Sequence, residues 1–563
     1  MFTFFDIEVF RHDWMVVLLT EDHIIRIHND TDKLRNSLST SNILVGYNNY
    51  AYDDIILAGL LTEKDPYELS QKLIRGEKVN ATLGYLTLDA MQEINGLSLK
   101  EVQANMGLNI HETPTDFDIK RPLTKEEVEL VFQYCENDVK TTKKVFELRE
   151  DYFTSKFEIV DSFKLPIMAV KKTRANLSAA VLKAKPAKHK KRDRLHLEFD
   201  KRLNLHELPR EIVSFYEDIR NRYSKGEDHE ELEKEKFEIE IAGIKHSFGF
   251  GGLHGAIENY QYTGNMMKID VSSYFPSLMI NNNFISRNAE SPELFKEIYE
   301  KRLKLKREKN SKQEIYKIVL NSAFGAMKSE YNYLFDPKQF NNVTMNGQLI
   351  ITHLILLLQP FSKLIQSNTD GIIIAYENGM KDMILEVIRR FGIHYNLTLD
   401  VDYITKIAQR DVNNYVVQYT DGTIKAKGRM AKFQGGDWDR NSLHIIDKAL
   451  VNFYIYGIPI QKTVIEAWKN NQLDLFQLVV KAGKFDGMAH EVDGKMVELQ
   501  KVNRIFATNQ VNYGSVYKVR DRKYQKVPYT SEKCIVCNDE LSKMNKKLID
   551  MNYYIKLVQS NLF

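Results

Sequence analysis

Apolar runs and their spacing predict strands in the first part of the chain and helices after them. Residues 2–9 are mostly apolar, with charged positions at 6 and 8, which predicts a strand. The stretch from Trp14 to Ile27 predicts one or two more strands, and Asn42 to Tyr47 predicts a short one. From Ser98 to Leu148 the spacing becomes helical, with a capped helix start at Leu123 to Glu127. This order predicts an α/β unit of domain size.

The second half of the chain begins after a glycine-rich joint at Phe248 to Gly255. Its predicted elements are a strand at Ile269 to Met279 that turns at Pro276, helices at Glu293 to Gly325 with a break near Asn310, a buried helix at Ile350 to Leu358, and a strand at Ile372 to Tyr376. No internal repeat and no low-complexity segment is evident.

The chain has 563 residues, too many for one compact core, so several domains are expected. Its 43% apolar and 28% charged residues are typical of globular proteins and exclude a disordered chain or a fibre.

Three cysteines are too few for a disulfide framework and favour a reducing, cytoplasmic location. The longest apolar run, Leu349 to Phe361, is too short for a membrane span, and the N-terminus lacks a signal-peptide pattern. The net charge of +3 neither favours nor excludes a polyanionic partner.

Asp6 and Glu8 are two positions apart in the first predicted strand, so their side chains point to the same face. Phe4, Phe5 and Val9 predict that this strand is buried, and buried carboxylates need partners or metal ions. A two-metal phosphodiesterase needs such close carboxylates to bind Mg²⁺ or Mn²⁺. The alternative for so short a motif is a surface strand with two solvated acids.

Two later segments add to this pair of acids. Asp53 follows an apolar strand, four residues after Asn49. Tyr134 and Asp138 are one turn apart on a predicted helix and share a face, where the tyrosine hydroxyl could orient water near the carboxylate. The resulting motifs are Asp6-x-Glu8, Asn49-x-x-Tyr52-Asp53 and Tyr134-x-x-x-Asp138.

Together these motifs resemble those of the proofreading 3′→5′ exonucleases that carry four acids and a tyrosine. The resemblance implies an RNase H-like fold in which the acids hold two metal ions and the tyrosine positions the attacking water. The implied metal ligands are Asp6, Glu8, Asp53 and Asp138. The implied roles of the other residues are water positioning for Tyr134, the single-stranded primer end for Asn49 and a primer phosphate for Lys120.

A second group of motifs lies in the second half of the chain. Asp270 ends an apolar strand, and Asp370 lies in a turn before another strand. Lys317, Asn321 and Phe324 share one face of a predicted helix, which offers a cation, an amide and a ring. Phosphoryl transfer needs metal ions held by carboxylates of neighbouring strands, which the two aspartates can supply. Taken singly, these motifs also fit a turn aspartate, a packed amphipathic helix and a hairpin tip.

In this order the second group resembles motifs A, B and C of family B DNA polymerases, which the exonuclease motifs precede as they do here. The resemblance covers roughly residues 1–430. It implies a mixed α/β multidomain protein, with an RNase H-like exonuclease domain and a right-hand polymerase made of palm, fingers and thumb. It also implies two Mg²⁺ ions per active site, for which Mn²⁺ can substitute.

The same resemblance assigns roles to individual residues of the polymerase half. The implied metal ligands are Asp270, Asp370 and the carbonyl group of Val271. The implied nucleotide-binding residues are Phe275 as the gate against a ribose, Arg302, Lys306 and Lys317 for the triphosphate, and Asn321, Phe324 and Gly325 around the nascent base pair. The implied DNA-binding residues are Gly251, Gly252, Lys425 and Lys427.

The third polymerase motif departs from the family pattern, which usually reads Tyr-x-Asp-Thr-Asp-Ser. Gln366 replaces the tyrosine, Asn368 the first acid and Gly371 the serine. Two phenylalanines also replace the usual tyrosines of the first two motifs. We expect the lost carboxylate to weaken metal binding and to leave the pair Asp270 and Asp370 intact.

The motifs divide the chain into six predicted segments. They are an RNase H-like exonuclease (1–165), an inter-domain linker region with a basic arm (166–247), the first part of the palm with motif A (248–290), short fingers with motif B (291–329), the second part of the palm with motif C (330–434), and the thumb with the C-terminal region (435–563). The intervals between motifs exclude the insertions of protein-primed members, and Asp6 leaves no room for an N-terminal domain. We therefore expect a minimal, phage-type enzyme that extends an ordinary primer rather than a terminal protein.

The leading interpretation is a DNA-templated polymerase with proofreading that replicates a phage-type genome, in the host cytoplasm. Its partners would be primer–template DNA and dNTPs, with a clamp, a helicase or a single-strand-binding protein, and no membrane. The basic arm at Lys183 to Arg194 is either a solvated segment or a phosphate contact. Cys534 and Cys537 are predicted to be packed thiols, because structural zinc needs four ligands. The alternatives are an exonuclease with a weakened or inactive polymerase half, and a non-catalytic replication scaffold.

Overall fold

The computed structural model describes residues 1–21, 23–39, 42–94, 96–112, 115–186 and 193–563. Its architecture is mixed α/β, as predicted, with four sheets and helices packed around them. Residues 187–192 of the predicted basic arm lie outside the described residues. Within the described ranges, no helix is both long and apolar enough to cross a membrane.

The described residues of the first region, up to residue 186, form five strands and seven helices. They are β1 (Phe2–Val9), β2 (Trp14–Thr20), β3 (His23–His28), α1 (Thr31–Ser37), β4 (Ile43–Gly46), α2 (Asp53–Leu61), α3 (Pro66–Ile74), β5 (Thr87–Asp89), α4 (Leu99–Asn105), α5 (Lys125–Leu148), α6 (Glu150–Ser162) and α7 (Arg174–Val181). Short 3₁₀ turns at Asn49–Ala51 and Ile167–Lys171 complete it.

The strands of this region form one sheet in the order β3-β2-β1-β4-β5. β1 is central, antiparallel to β2 and parallel to β4, so the first predicted strand is buried as expected. α5 begins at the predicted position, because the Thr124 hydroxyl accepts a hydrogen bond from the Glu127 N–H and the Glu127 carboxylate accepts one from the Thr124 N–H. The segment predicted as helical from Ser98 to Leu148 contains two helices, since the described residues between them, 106–112 and 115–124, are not helical.

The middle region holds the second large sheet and most of the long helices. Its elements are α8 (Arg210–Ser224), α9 (His229–Leu232), β6 (Phe237–Ile241), β7 (Ile244–Phe248), β8 (His254–Ala256), β9 (Tyr260–Val271), α10 (Tyr274–Asn281), α11 (Pro292–Arg307), α12 (Gln313–Ala326), α13 (Pro337–Leu358), β10 (Lys363–Asn368), β11 (Gly371–Ala375), α14 (Lys381–Tyr395), β12 (Leu399–Asp411), β13 (Asn414–Tyr419) and β14 (Ile424–Lys427). Three 3₁₀ turns accompany them at Leu205–Glu207, Asn378–Met380 and Gly428–Met430.

Nine strands form the second sheet in the order β14-β13-β12-β9-β11-β10-β8-β7-β6. The predicted break in the basic helices lies between α11 and α12. The turn predicted at Pro276 is wrong, because α10 begins at Tyr274 and a proline is tolerated in the first helical turn, where the N–H would lack a partner. The helix predicted from Ile350 is longer than expected, since α13 begins at Pro337 with a cap from Asp336.

The C-terminal region, for which the sequence predicted least, contains three helices and two small sheets. Its elements are α15 (His444–Tyr456), α16 (Ile460–Lys469), β15 (Leu478–Lys481), β16 (Gly487–Val492), β17 (Lys495–Leu499), β18 (Val502–Ala507), β19 (Tyr513–Arg520), β20 (Lys523–Lys526), β21 (Cys534–Val536) and α17 (Met551–Gln559). The sheets have the orders β15-β18-β21 and β17-β16-β19-β20. 3₁₀ turns lie at Leu473–Phe476, Leu541–Lys543 and Lys546–Leu548.

One hydrophobic core runs from the first sheet into the second. Leu177, Ile212 and Tyr216, all from the segment predicted as a linker region, are fully buried in it. The β6–β7 hairpin of the same segment extends the nine-stranded sheet at its edge. The described residues of this segment, 166–186 and 193–247, are therefore part of the folded body and connect the first sheet to the second.

Candidate active sites

The first group of predicted residues meets on one face of the first sheet. Asp6 and Glu8 lie on β1, Asp53 is the first residue of α2, and Asp138 lies on α5, which packs against β1. The Cys135 thiol, next to them on α5, donates to Asp6 Oδ2 at 3.3 Å. Elements distant in sequence thus bring four carboxylates within electrostatic range of one another.

These carboxylates repel one another in a buried setting. Burial raises the pKa of Asp6 to about 7, and the charge of Asp138 adds to the rise. Burial also raises the pKa of Glu8 well above its ordinary value, with further increases from Asp6, Asp138 and Asp53. The pKa of Asp53 is raised by burial and then by Asp6. Such a group retains protons or gains stability from a bound cation.

A buried lysine that the sequence analysis did not single out faces this group. The Lys100 ammonium donates to Asp138 Oδ1 at 2.9 Å and lies 4.0 Å from the centre of the Tyr134 ring. Gln103, one turn further along α4, donates to the same carboxylate oxygen at 2.8 Å. The pattern Ser98-x-x-Glu101 marks the start of α4 in the sequence, but no local signal relates Lys100 to a residue 38 positions away.

The other predicted residues of this group, Tyr134, Asn49 and Lys120, differ from one another in burial and in their neighbours. Burial and the charge of Asp138 raise the pKa of the Tyr134 hydroxyl, which therefore stays protonated at neutral pH. Asn49 is fully buried, and its amide donates to Asp54 at 2.7 Å. Lys120 is exposed. The structure thus directs Asn49 into the protein rather than toward solvent, and the primer contacts of Asn49 and Lys120 stay predictions.

The four carboxylates fit a divalent cation by their chemistry, because hard oxygen ligands are those that Mg²⁺ and Mn²⁺ prefer. Their raised pKa values indicate that added positive charge would stabilise the ionised forms. As placed, no three His, Cys, Asp or Glu side chains of the described residues converge as in a preformed metal site. The Lys100 ammonium pairs with one of the four carboxylates, that of Asp138. The Asp138 carboxylate would therefore interact with both the ammonium and a bound metal ion.

The second group lies at the centre of the nine-stranded sheet. Asp270 on β9 is directly opposite Gly371 of β11 on one side and Asp400 of β12 on the other. Asp370 lies in the turn before β11, and its carbonyl accepts a hydrogen bond from the Val271 N–H at 2.8 Å. The structure thus brings the two predicted carboxylates to neighbouring strands and adds Asp400 in register with them. Metal binding by the Val271 carbonyl stays a prediction.

Two lysines lie among these acids. Lys268, two residues before Asp270 and on the same face of β9, pairs with its carboxylate. Burial and then the charge of Asp270 raise the pKa of Asp370, whereas Lys268 and Lys427 lower it. A cavity of about 100 Å³ opens here, lined by Lys268, Asp270, Gln366, Asn368, Asp370, Gly371, Ile372, Ile373, Tyr415 and Lys427. The carboxylates again suit a divalent cation, although Lys268 competes for one of them.

The structure explains one of the unusual residues of the third motif, the glycine at position 371. A Cβ atom at Gly371 would lie 2.1 Å from Asp270 Oδ1 and 2.9 Å from the Ile269 carbonyl oxygen, so the observed position of Asp270 requires glycine there. Asn368 lies opposite Gly371 across β10 and β11, and its amide is 3.5 Å from the Val412 carbonyl. The serine of the family pattern would therefore push the Asp270 carboxylate out of its place.

The helices α11 and α12 carry the predicted triphosphate-binding cations. Lys306 donates to Ser272 Oγ at 2.9 Å and lies 3.4 Å from Asp400, so it contacts the second sheet near Asp270. Lys317 pairs with Glu314 at 3.0 Å. Arg302 is buried, burial lowers its pKa, and its Nε has no hydrogen-bond partner among the described residues. This unpaired donor has capacity left for an anion.

Aromatic rings stack between α10 and the helices after it. The Phe275 ring lies 4.1 Å from that of Phe324 at an angle of 18°, and Phe324 stacks on Phe340 at 4.9 Å. Asn321 lies exposed on α12, and a side chain at Gly325 would meet only open space. The structure therefore brings the predicted gate residue and the predicted stacking residue into direct contact.

The predicted DNA-binding residues surround the second group. A Cβ atom at Gly252 would lie 2.3 Å from Thr369 Oγ1, beside Asp370, whereas one at Gly251 would meet no atom within 4 Å. Lys427 lines the cavity described above, and Lys425 lies over the Tyr419 ring at 5.0 Å. The close approach at Gly252 explains the need for glycine there, and the DNA contacts themselves stay predictions.

The three cysteines are free thiols. Cys534 is buried and donates to the Ser531 carbonyl, and Cys537 lies beside Asp539. In the part of the chain that the structure describes, neither belongs to a cluster of metal-ligating side chains. Cys534 is thus packed inside the protein and Cys537 is half-buried, and the absence of zinc at this pair stays a prediction.

Comparison with known proteins gives one local similarity in sequence. A stretch of 123 residues is 30% identical to DNA polymerase 1 of Sulfolobus acidocaldarius, and it covers 21% of this chain and 14% of that protein. The chain thus matches only about a seventh of the length of this curated relative. No protein-family model matches the chain.

Comparison with solved structures gives a distant resemblance. The family B DNA polymerase of the hyperthermophilic archaeon Pyrobaculum calidifontis aligns with a TM-score of 0.42 and 13% sequence identity. The alignment covers 99% of this chain and 77% of that chain.

Proposed function

We propose that this chain is a family B DNA polymerase that extends a primer with dNTPs and removes 3′ nucleotides with a proofreading exonuclease. The observation that carries the proposal is the presence of two separate carboxylate groups, one on β1, α2 and α5 and the other on β9 and the turn before β11. Their order along the chain is that of the exonuclease and polymerase motifs. The local similarity to a DNA polymerase supports the same assignment.

The fold of each half is in keeping with this proposal. The order β3-β2-β1-β4-β5, with one antiparallel and one parallel neighbour of β1, supports an RNase H-like exonuclease domain. The antiparallel sheet around β9 supports a palm, and the hairpin of α11 and α12 supports short fingers. The C-terminal region would be the thumb. Short fingers also favour a minimal, phage-type enzyme that uses an ordinary primer.

Two sets of carboxylates would hold Mg²⁺, or Mn²⁺ in its place: Asp6, Glu8, Asp53 and Asp138 in one site, and Asp270 and Asp370 in the other. The metal ions would neutralise charge on phosphate oxygens. In the exonuclease site Lys100 fixes the Asp138 carboxylate. Because the Tyr134 hydroxyl stays protonated, it can orient a water molecule by hydrogen bonding but cannot act as a base.

In the polymerase site the cations of the fingers would bind the triphosphate of the incoming dNTP. Arg302 has an unpaired donor for this purpose, whereas Lys306 must first leave Asp400 and Ser272. The stacked rings of Phe275 and Phe324 would exclude a ribose 2′-hydroxyl by their bulk. Primer–template DNA would pass Gly252 and Lys427, and a clamp, helicase or single-strand-binding protein would supply processivity.

A second candidate function is a 3′→5′ DNA exonuclease with a weakened polymerase half. Two observations favour it: Asn368 replaces an acid, and Lys268 already pairs with Asp270. Both reduce the negative charge available to metal ions in the palm.

The test is extension and degradation of a labelled primer on a DNA template in Mg²⁺, with and without dNTPs. We expect Asp370→Ala to lose extension and Asp6→Ala to lose degradation, each by roughly a thousandfold or more, because each removes charge that holds the metal ions. Asp161→Ala, an exposed acid at the end of α6, serves as the matched control and should retain both activities. Degradation without extension by the wild-type protein would favour the second candidate.

A further inference from the structure

The short helix α4 has two faces that serve different parts of the molecule. Lys100 and Gln103, three positions apart, point to the exonuclease site and hold Asp138. Glu101 and Asn105, four positions apart on another face, contact the C-terminal region. A seven-residue helix has little stability of its own, so its position depends on what packs against it.

Glu101 is fully buried and takes half of its hydrogen bonds from the C-terminal region. Its Oε2 accepts from the Ser98 backbone and hydroxyl groups at 2.9 Å each, which caps α4, and from Lys481 Nζ at 2.9 Å. Its Oε1 accepts from the Asn441 amide at 2.6 Å. Because a buried carboxylate must keep its partners, Lys481 and Asn441 are tied to the start of α4.

Arg504 of β18 holds the other end of α4. Its fully buried guanidinium donates to the Ala104 carbonyl from two nitrogens, at 3.2 and 2.9 Å, and to the Leu108 carbonyl at 2.8 Å. It also donates to the Asp539 carbonyl at 2.8 Å, and in the described ranges it forms no ion pair with a carboxylate. A cation at the last carbonyl groups of a helix satisfies acceptors that have no partner within the helix.

Backbone contacts complete this interface. The Ile110 N–H donates to the Asn538 carbonyl at 2.9 Å, and the Leu541 N–H donates to the Gly107 carbonyl at 3.0 Å. The Gln477 amide donates to the Asn105 carbonyl at 3.0 Å. Both ends of α4 and the segment after it are therefore fixed from the C-terminal side.

We propose that the C-terminal region positions the exonuclease site through α4, with Lys481 and Arg504 as positioning residues that act on Lys100. This inference rests on the proposed exonuclease function. Lys481 fixes the start of α4 next to Lys100, and Arg504 fixes its end next to Gln103. Loosening either contact lets the Lys100 ammonium leave Asp138, and the exonuclease loses a correctly oriented carboxylate while the palm is unaffected.

The first experiment replaces Lys481, whose side chain is 44% exposed, by methionine, which keeps most of its length and removes its charge. We expect kcat for degradation of single-stranded DNA to fall about tenfold, the lower end for residues that orient a metal ligand, with an unchanged KM. Primer extension should stay at the wild-type rate. Lys484→Met, an exposed lysine three residues further on, is the matched control and should change neither activity.

A double-variant cycle separates positioning from a general loss of structure. If Lys481 acts through Lys100, Lys481→Met should lower kcat no further in a Lys100→Met background. Arg504→Gln should give a larger fall in exonuclease kcat, with folding checked by thermal unfolding. If Arg504→Gln does not fold, Lys481→Met and the cycle still decide the question.

The outcomes distinguish this inference from the proposed function. Absence of degradation by the wild-type protein overturns the proposed exonuclease itself. Wild-type degradation together with full exonuclease kcat in Lys481→Met overturns the positioning role. Equal falls with and without Lys100 would also overturn it, because the two lysines would then act independently.

Discussion

The carboxylates of the proposed exonuclease site and those of the proposed polymerase site are balanced by different amounts of positive charge. In the first, Asp6, Glu8 and Asp53 have raised pKa values, and Lys100 is the cation that opposes the rise for Asp6 and Glu8. In the second, Lys268 pairs with Asp270, and Lys268 and Lys427 both act on Asp370.

This difference has a consequence for metal binding. Four acids with one lysine gain more from a divalent cation than the pair Asp270 and Asp370 with two lysines beside it. We therefore expect the exonuclease to reach full activity at lower Mg²⁺ than the polymerase. The replacement of an acid by Asn368 changes the polymerase site in the same direction.

The substitution expected to separate the two sites most strongly is Gly371→Ser, which introduces the serine that is usual at this position of the third polymerase motif. Its Cβ would lie 2.1 Å from Asp270 Oδ1, so the carboxylate must move by about 1 Å or more, and a shift of that size can cost roughly a hundredfold in rate. Extension should fall by that factor in single-turnover assays, while degradation stays unchanged. Gly379→Ser, at an open position outside the site, is the control. Normal extension by Gly371→Ser would show that Asp270 works from a different position.

A smaller effect is expected from Lys268→Met, which removes a positive charge beside Asp270. The Mg²⁺ concentration for half-maximal extension should fall by about tenfold, because one fewer cation competes with the metal ion. Mn²⁺ binding, followed by its paramagnetic effect on water relaxation, should strengthen in parallel. Lys363→Met, on β10 of the same sheet, is the matched control. An unchanged Mg²⁺ requirement would mean that Lys268 does not weaken metal binding.

The smallest expected effect concerns pH and the metal-free protein. The pKa of Asp6 is about 7 when folded, above its value in an unfolded chain, so the folded state binds this proton more tightly. Its stabilising contribution is complete at acid pH and is lost as the pH rises through 7. Asp6→Asn should therefore raise Tm relative to wild type by a few degrees at pH 8 in EDTA, and by less at pH 5. Equal differences at both pH values would contradict this, and added Mg²⁺ should reduce the difference at pH 8.

Local patterns in the sequence predicted the parts of both sites that depend on a single element. Asp6 and Glu8 share a face because strands alternate, and Tyr134 and Asp138 because helices repeat. The break between α11 and α12 was also readable, since polar residues interrupt the apolar spacing there. Such signals need no knowledge of what packs against the element.

The contacts between distant elements could not be predicted in this way. Lys100 reaches Asp138 through the packing of α4 on α5, and neither helix alone indicates it. Lys268 was not singled out from the sequence: the alternation of β9 places it on the face of Asp270, but the ion pair between them depends on side-chain positions. Asn49 points inward because Asp54, one turn later, accepts its amide. The C-terminal sheets lacked a clear signal, since their strands are short and partly exposed.

The bonds from Arg504 to α4 also limit how the chain can be divided. A nuclease module that could be exchanged between proteins would have to carry its own support for every helix of its site. Here the Ala104 carbonyl in the last turn of α4 and the Leu108 carbonyl just after the helix accept from an arginine about 400 positions away in sequence. The proposed exonuclease half therefore depends on the C-terminal region for the support of α4, and substitutions in that region must preserve these contacts.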